Sequence, residues 1–132
     1  MDDIGKPPKA RVLVIDDSSL VRLYYRSTLE KAGFVVEQAI NGIEAMEKVL
    51  SEPFDLVLVD VNMPRMDGFT FLRTLRTSAG DVATIPALMI STESETEDAT
   101  EARAAGANFY LVKPVAENEL LRHVCVLAGA TL

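Results

Sequence analysis

The chain has a single cysteine among its 132 residues, Cys125, so no intramolecular disulfide can form. Its neighbours His123, Val124, Val126 and Leu127 give it the setting of an inner helix face, and a buried structural thiol is expected. Long apolar runs are also missing, with nothing approaching the roughly 18 residues of a membrane span. The opening Met1-Asp2-Asp3 is acidic and lacks the basic and apolar regions of a secretory leader, so a cytoplasmic protein with no membrane partner is expected. Basic charge is scarce: 13 Lys and Arg stand against 20 Asp and Glu, a net charge of −7. Nucleic-acid binding rests on clustered cations that neutralise phosphates, so that class of partner is not expected. A modest net charge also keeps small proteins in solution, so the acidity by itself names no partner. No internal repeat and no Pro/Gly/Ser-rich linker marks a second domain.

What is present is ordinary globular material. With 48% hydrophobic and 25% charged residues, the chain can form one packed domain. Residues 1–10 (MDDIGKPPKA) carry Gly5, Pro7 and Pro8 without an apolar period and read as a mobile tail; the domain proper is expected over 11–132. Five short apolar runs follow, RVLVID (11–16), FVVEQA (34–39), DLVLVD (55–60), IPALMIS (85–91) and NFYLVK (108–113), each a strand candidate. Amphipathic stretches near 18–32, 42–52, 68–77, 95–105 and 117–128 are long enough to be crossover helices between parallel strands. Runs such as Val12-Leu13-Val14-Ile15 and Leu56-Val57-Leu58-Val59 are apolar at successive positions, as strands covered on both faces require. The pattern is (βα)5, a doubly wound α/β sheet of flavodoxin-like type. FVVEQA, with Glu37 and Gln38 near its end, suits an edge strand. The order 2-1-3-4-5 fits this, and is the known arrangement of such sheets rather than one deduced from this chain.

Ligands of open α/β sheets bind beyond the carboxyl ends of the strands, so the residues that end each run matter most. The first run ends on Asp16 and Asp17, the third on Asp60, the fourth on Ser91, and the fifth on Lys113 before Pro114. Three gathered carboxylates repel one another unless a cation is shared. Magnesium suits them, with Asp17 and Asp60 as direct ligands, Asp16 holding a water, and the backbone carbonyl of Asn62 as a further oxygen. A carboxylate can attack phosphorus as a nucleophile, leaving the protein to position and neutralise the transferring group. Lys113 can pair a phosphate oxygen as a point charge, and the Ser91 hydroxyl can donate to another. Singly, each element has a bland reading: Asp17 and Ser18 are common helix caps, and Lys-Pro is a common strand exit. Jointly, four strand ends carrying the right residue types are hard to obtain by chance.

These residues carry a resemblance. VLVIDDSSLVR (12–22), DLVLVDVNMPRMDGFTFL (55–72), PALMIST (86–92) and YLVKPV (110–115) resemble the receiver domain of two-component response regulators, and the likeness extends over about 10–128. It implies that Asp16 and Asp17 are the acidic metal-binding pair, Asp60 the phosphorylation site, Ser91 the hydroxyl switch residue, Lys113 the phosphate-contacting lysine and Tyr110 the switch aromatic. It also implies a cis Lys113-Pro114 peptide, Mg2+ as cofactor, and a histidine kinase or phosphotransfer domain as donor. Many relatives carry Thr at the position of Ser91, and Ala or Gly at that of Thr92. The larger Thr92 is expected to slow entry of phosphodonor and hydrolytic water, and Asn62 and Glu93 stand where the family tunes phosphate lifetime.

Phosphorylation adds close to two negative charges and would draw Ser91 and Lys113 inward, admitting Tyr110 to the vacated space. The buried stripe of the first helix is expected to be Val21, Tyr24, Tyr25, Thr28 and Leu29. Leu20 and Leu23 fall off it near the acidic crevice, where they are expected to dock the helix of a phosphohistidine partner. The fourth-helix region, with Glu93, Glu95, Glu97, Asp98 and Glu101, reads as an acidic solvated face with alanines inward. The leading expectation is a stand-alone, monomeric regulator most like the chemotaxis type that acts on a flagellar motor component. Phosphorelay intermediates and phosphate sinks share the same site. A phosphohydrolase of the haloacid-dehalogenase type would need a second acid two residues beyond the nucleophile, where this chain has Asn62. A receiver cut from a longer transcription factor remains an alternative.

Overall fold

The computed structural model of the chain describes residues 9–92 and 96–130. Five strands alternate with five helices: β1 (Arg11–Ile15), α1 (Ser19–Lys31), β2 (Val35–Ala39), α2 (Gly42–Ser51), β3 (Leu56–Asp60), α3 (Gly68–Arg76), β4 (Ala87–Ser91), α4 (Thr96–Ala105), β5 (Phe109–Val112) and α5 (Glu117–Ala128). All neighbouring strands pair in parallel, in the order β2-β1-β3-β4-β5, as expected. A 3-10 turn at Gly80–Thr84, which has no apolar period to announce it, precedes β4. β4 begins two residues later than its apolar run, because Pro86 has no amide to donate to the ladder.

The period of two along the central strands divides the core into two layers. Leu13, Ile15, Val57, Val59, Ala87 and Met89 face α2, α3 and α4, where they meet Val49, Phe71, Leu72, Leu75 and Ala102. Val12, Val14, Leu56, Leu58, Leu88 and Ile90 face α1 and α5, against Tyr25, Leu29, Leu120 and Val124. Each fully buried leucine or phenylalanine stabilises the fold by roughly 1.5–3 kcal/mol. β3 and β4 are buried at every position, whereas β2 and β5 are buried only in part, as befits edges.

Helix starts are set locally. Ser18 accepts from the Val21 amide, Asn41 from Glu44 and Asp67 from Thr70, and the Glu44 carboxylate returns a bond to the Ile40 amide. α5 ends at Gly129, whose φ of 71° is a left-handed cap that an L side chain would strain. Cys125 is buried as expected, although Val126 beside it is exposed. Ala102 and Ala105 form the inner side of α4, while Glu93 and Glu95 lie outside the described residues.

The expected α1 stripe needs one correction. Tyr25, Thr28 and Leu29 are buried and Val21 is half-buried, but Tyr24 is 39% exposed. Its hydroxyl donates to the Val115 carbonyl at 2.8 Å, which holds the ring at the helix flank rather than beneath it. Of the expected tail, residues 1–8 lie outside the described residues. Lys9 donates its amide to Gly33, and Ala10 is buried.

Candidate functional site

The carboxyl ends of β1, β3, β4 and β5 bring the chemistry-bearing residues to one crevice. Asp16 follows β1 and is only 2% exposed; its amide donates to the Ala39 carbonyl at 3.1 Å and its Oδ1 accepts from the Ser18 amide at 2.9 Å. Asp17, next in the chain, is exposed at the mouth. Asp60 is the last residue of β3 and is buried, as is Ser91 at the end of β4. Lys113 follows β5 and donates its amide to the Ser91 carbonyl at 2.7 Å. The peptide between Lys113 and Pro114 is cis.

The Lys113 ammonium spans the two buried acids, 3.2 Å from Asp16 Oδ2 and 3.1 Å from Asp60 Oδ1. Carboxylate oxygens of Asp16, Asp17 and Asp60 lie within 4.8 Å of one another. Burial, the neighbouring Asp16 charge and, more weakly, Asp17 push the Asp60 carboxyl up from 3.8 to about 6, against the opposing pull of Lys113. Burial alone would lower the Lys113 ammonium, but its bonds to Asp60 and Asp16 outweigh this and hold it above the usual lysine value. Three carboxylates facing a single ammonium match the donor set of a hard divalent cation, and magnesium fits the oxygen-only chemistry.

Asn62 and Thr92 are exposed, two residues beyond Asp60 and one beyond Ser91. Tyr110 is half-buried, pairs in register with Met89, and packs against the same core layer as that residue. Leu20 and Leu23 are exposed at 77% and 61%. Glu93 lies outside the described residues.

Several supporting residues carry no signal in the sequence pattern. Gly68 approaches β3 so closely that a Cβ would collide with the Asp60 carbonyl oxygen and stand 3.0 Å from Val61 Cα. Its amide donates to the Val61 carbonyl at 2.9 Å, tying the start of α3 to the exit of β3. Arg22 donates to the Asp16 carbonyl at 2.6 Å and to Gln38 at 2.9 Å, which fixes the backbone of the first acid. The Tyr25 hydroxyl is pushed well above the usual phenol range by burial and by the Asp16 and Asp60 charges, so the neutral ring stays beside the acids.

Fold and site together define a doubly wound α/β domain whose strand ends gather acids around one lysine, the arrangement of a phosphoryl-accepting switch. Residues 12–125 match the response regulator receiver domain, and the chain belongs to that family. The chemotaxis protein CheY4 of Vibrio cholerae is 39% identical, with a TM-score of 0.84 over 89% of this chain and 98% of that one. A response regulator from Chloroflexus aurantiacus superposes with a TM-score of 0.86 at 29% identity, covering 93% of this chain and 99% of that one. The response regulator MprA of Mycobacterium ulcerans is 37% identical over 121 residues, 92% of this chain. The chain spans 51% of that protein, and 13% of a Myxococcus xanthus gliding motility regulatory protein to which it is 40% identical. Receiver domains are phosphoacceptor switches rather than conventional enzymes. Among the described residues no helix is long and apolar enough to cross a membrane.

Proposed function

We propose that the chain is a single-domain response regulator that accepts a phosphoryl group on Asp60 from a histidine kinase or phosphotransfer domain, and signals through a phosphorylation-dependent protein contact in chemotaxis. The observation that carries the proposal is the Lys113 ammonium held 3.1 Å from Asp60 and 3.2 Å from Asp16, with Asp17 in reach of both acids. An Asp60 oxygen attacks the phosphorus of a phosphohistidine, the P–N bond breaks, and the imidazole nitrogen keeps the electron pair. With its carboxyl at about 6, Asp60 is already ionised at neutral pH and needs no general base. Asp16, Asp17 and Asp60, with the Asn62 carbonyl, would hold Mg2+. The ion would neutralise developing charge on the transferring oxygens. Lys113 exchanges its Asp60 contact for a phosphate oxygen, and the Ser91 hydroxyl donates to another.

The same movement provides the signal. Ser91 drawn toward the phosphate leaves room on the core layer that it shares with Tyr110, and inward rotation of that ring alters the face formed by α4, β5 and α5. Phosphate acts on this equilibrium only in proportion to its preference for one state. Thr92 slows entry of donor and water, Asn62 and Glu93 tune phosphate lifetime, and Leu20 and Leu23 dock the donor. The likeness to CheY4 over nearly that whole chain supports the chemotaxis assignment. A flagellar motor component is the proposed listener, and the cytoplasm the proposed compartment.

Incubation with phosphoramidate and Mg2+ tests the core of this reading by intact-mass measurement. The wild type should gain one phosphoryl group, and both Asp60→Asn and chelator-treated protein should gain none. Multiple-turnover hydrolysis of phosphomonoesters would instead establish a phosphohydrolase. For the listener, beryllofluoride with Mg2+ should make the wild type, and not Asp60→Asn, bind a flagellar motor component. Binding only to other phosphotransfer proteins would favour a phosphorelay intermediate or phosphate sink.

A further inference from the structure

Lys113 must hold its ammonium between two buried acids at the end of a flexible four-methylene stem, so its position depends on how firmly its backbone is fixed. Upstream the answer is direct, since its own amide bonds the Ser91 carbonyl at 2.7 Å. Downstream the chain is less secured. Pro114 is exposed and has no amide to donate, and Ala116, which caps α5, supplies no side-chain hydrogen bond to that helix. Between them Val115 turns its side chain into the core, and its carbonyl accepts from Tyr24 Oη at 2.8 Å.

Tyr24 reaches this carbonyl from α1, 91 residues away in sequence. Its ring lines a cavity of about 340 Å³ with Leu20, Tyr25, Lys113, Pro114 and Val115, so the ring and the lysine border the same space beside the acids. It lies 5.6 Å from the ring of Tyr25, the buried residue that stands beside the acids. One helical turn further on, Thr28 bonds Glu117 at 3.2 Å, a tie from α1 to α5 itself that is more distant from Lys113 in the chain.

We propose that Tyr24 is a positioning residue for phosphoryl acceptance: its hydroxyl fixes the Val115 carbonyl, and through it the placement of the Lys113 ammonium against Asp16 and Asp60. The inference rests on the function proposed above. It assigns to an exposed aromatic a role exerted entirely through another residue.

The test removes the hydroxyl alone, in Tyr24→Phe, and follows phosphorylation by phosphoramidate in Mg2+. The rate should fall about three- to tenfold, the range set by one lost hydrogen bond, while half-saturating Mg2+ stays within about twofold. The Ala116 amide nitrogen, bonded to the Val115 carbonyl carbon, should shift in 15N spectra. In a Lys113→Ala background the same substitution should have no further effect on rate, because the residue through which it acts is gone. Thr28→Val, which removes the hydroxyl that bonds Glu117 of α5, should leave the rate at the wild-type value. An unchanged rate in Tyr24→Phe, an unmoved Ala116 resonance, or an equal loss in the Lys113→Ala background would each overturn the inference. Failure of the wild type itself to take up phosphoryl groups, with the Ala116 shift intact, would overturn the proposed function and the inference with it.

Discussion

Replacing Asp60 by Asn should stabilise the metal-free protein at neutral pH. The Asp60 carboxyl is buried near Asp16 and Asp17, and it is raised from 3.8 to about 6 even with Lys113 at 3.1 Å. A raised carboxyl means that the folded state holds the proton more tightly than the unfolded chain. The resulting penalty on the ionised form is absent below the unfolded value, grows as pH rises through the interval between 3.8 and about 6, and is constant above it. At about 1.36 kcal/mol per unit, a shift of roughly two units corresponds to about 3 kcal/mol of stability forgone at pH 8. The neutral amide escapes this penalty, but gives up the charge that faces Lys113 and must find partners for its NH2 group. A net gain of about 1–3 kcal/mol is therefore expected.

Urea denaturation of both proteins, followed by circular dichroism in chelator at a series of pH values from 4 to 8, provides the measurement. The gain should be full at pH 7–8 and should shrink toward zero as pH falls through the interval, because the wild-type carboxyl then takes up its proton. Saturating Mg2+ should narrow the gap by stabilising the wild type more than the variant. A variant less stable than the wild type at pH 8 in chelator would refute the reasoning, as would a difference that does not change with pH.

Gly68→Ala should lower stability by about 1–3 kcal/mol in the same assay, because its Cβ meets backbone of Asp60 and Val61 rather than a side chain that can move aside. It should also weaken beryllofluoride binding, since the displaced backbone carries Asp60. Arg76→Ala should cost about 1–3 kcal/mol: the guanidinium donates to the carbonyls of Ala83, Ile85 and Gly106 and to the Asn108 side chain, and of these residues only Ile85 is buried, so its carbonyl carries most of the penalty for losing a partner. The site lies at the opposite ends of the strands, so phosphorylation by phosphoramidate should persist in the folded fraction. Leu20→Ala with Leu23→Ala should change stability by less than about 0.5 kcal/mol per site, both being exposed, and should slow phosphotransfer from a protein donor at least tenfold without affecting phosphoramidate. Wild-type transfer from the protein donor would remove these leucines from the docking surface.

The strands were legible because β1, β3 and β4 are covered on both faces and therefore appear as unbroken apolar runs. The site residues were legible for a related reason, since an apolar run that ends on Asp, Ser or Lys marks the point where the strand leaves the core. Pairings across the fold were not. Lys113 meets Asp60 and Asp16 at separations of 53 and 97 residues, and nothing local to either partner records the contact. Tyr24 shows how periodicity can mislead: it has the spacing of a buried residue, yet its hydroxyl finds a carbonyl at the helix flank and the ring remains partly in solvent. Gly68 and Arg22 act on the backbone of the acids, through contacts that no side-chain pattern encodes.

The charges in the pocket give the parts an order. Three carboxylates against one ammonium leave it two positive charges short of neutrality, and burial makes that deficit costly, as the raised Asp60 carboxyl records. Lys113 can relieve only part of it, because a single ammonium already divides its contacts between Asp16 and Asp60. A divalent cation at the three oxygens would meet the deficit and free Lys113 from bridging the two acids. Only then would the lysine be available to a phosphate, whose arrival on the proposed acceptor Asp60 would replace one negative charge with close to two. On the proposed function, Lys113 would bridge the acids in the resting pocket and bind phosphate in the phosphorylated one. The exchange requires its ammonium to move by little while its backbone stays fixed, and Ser91 on one side and Val115 on the other are the points where that backbone is held.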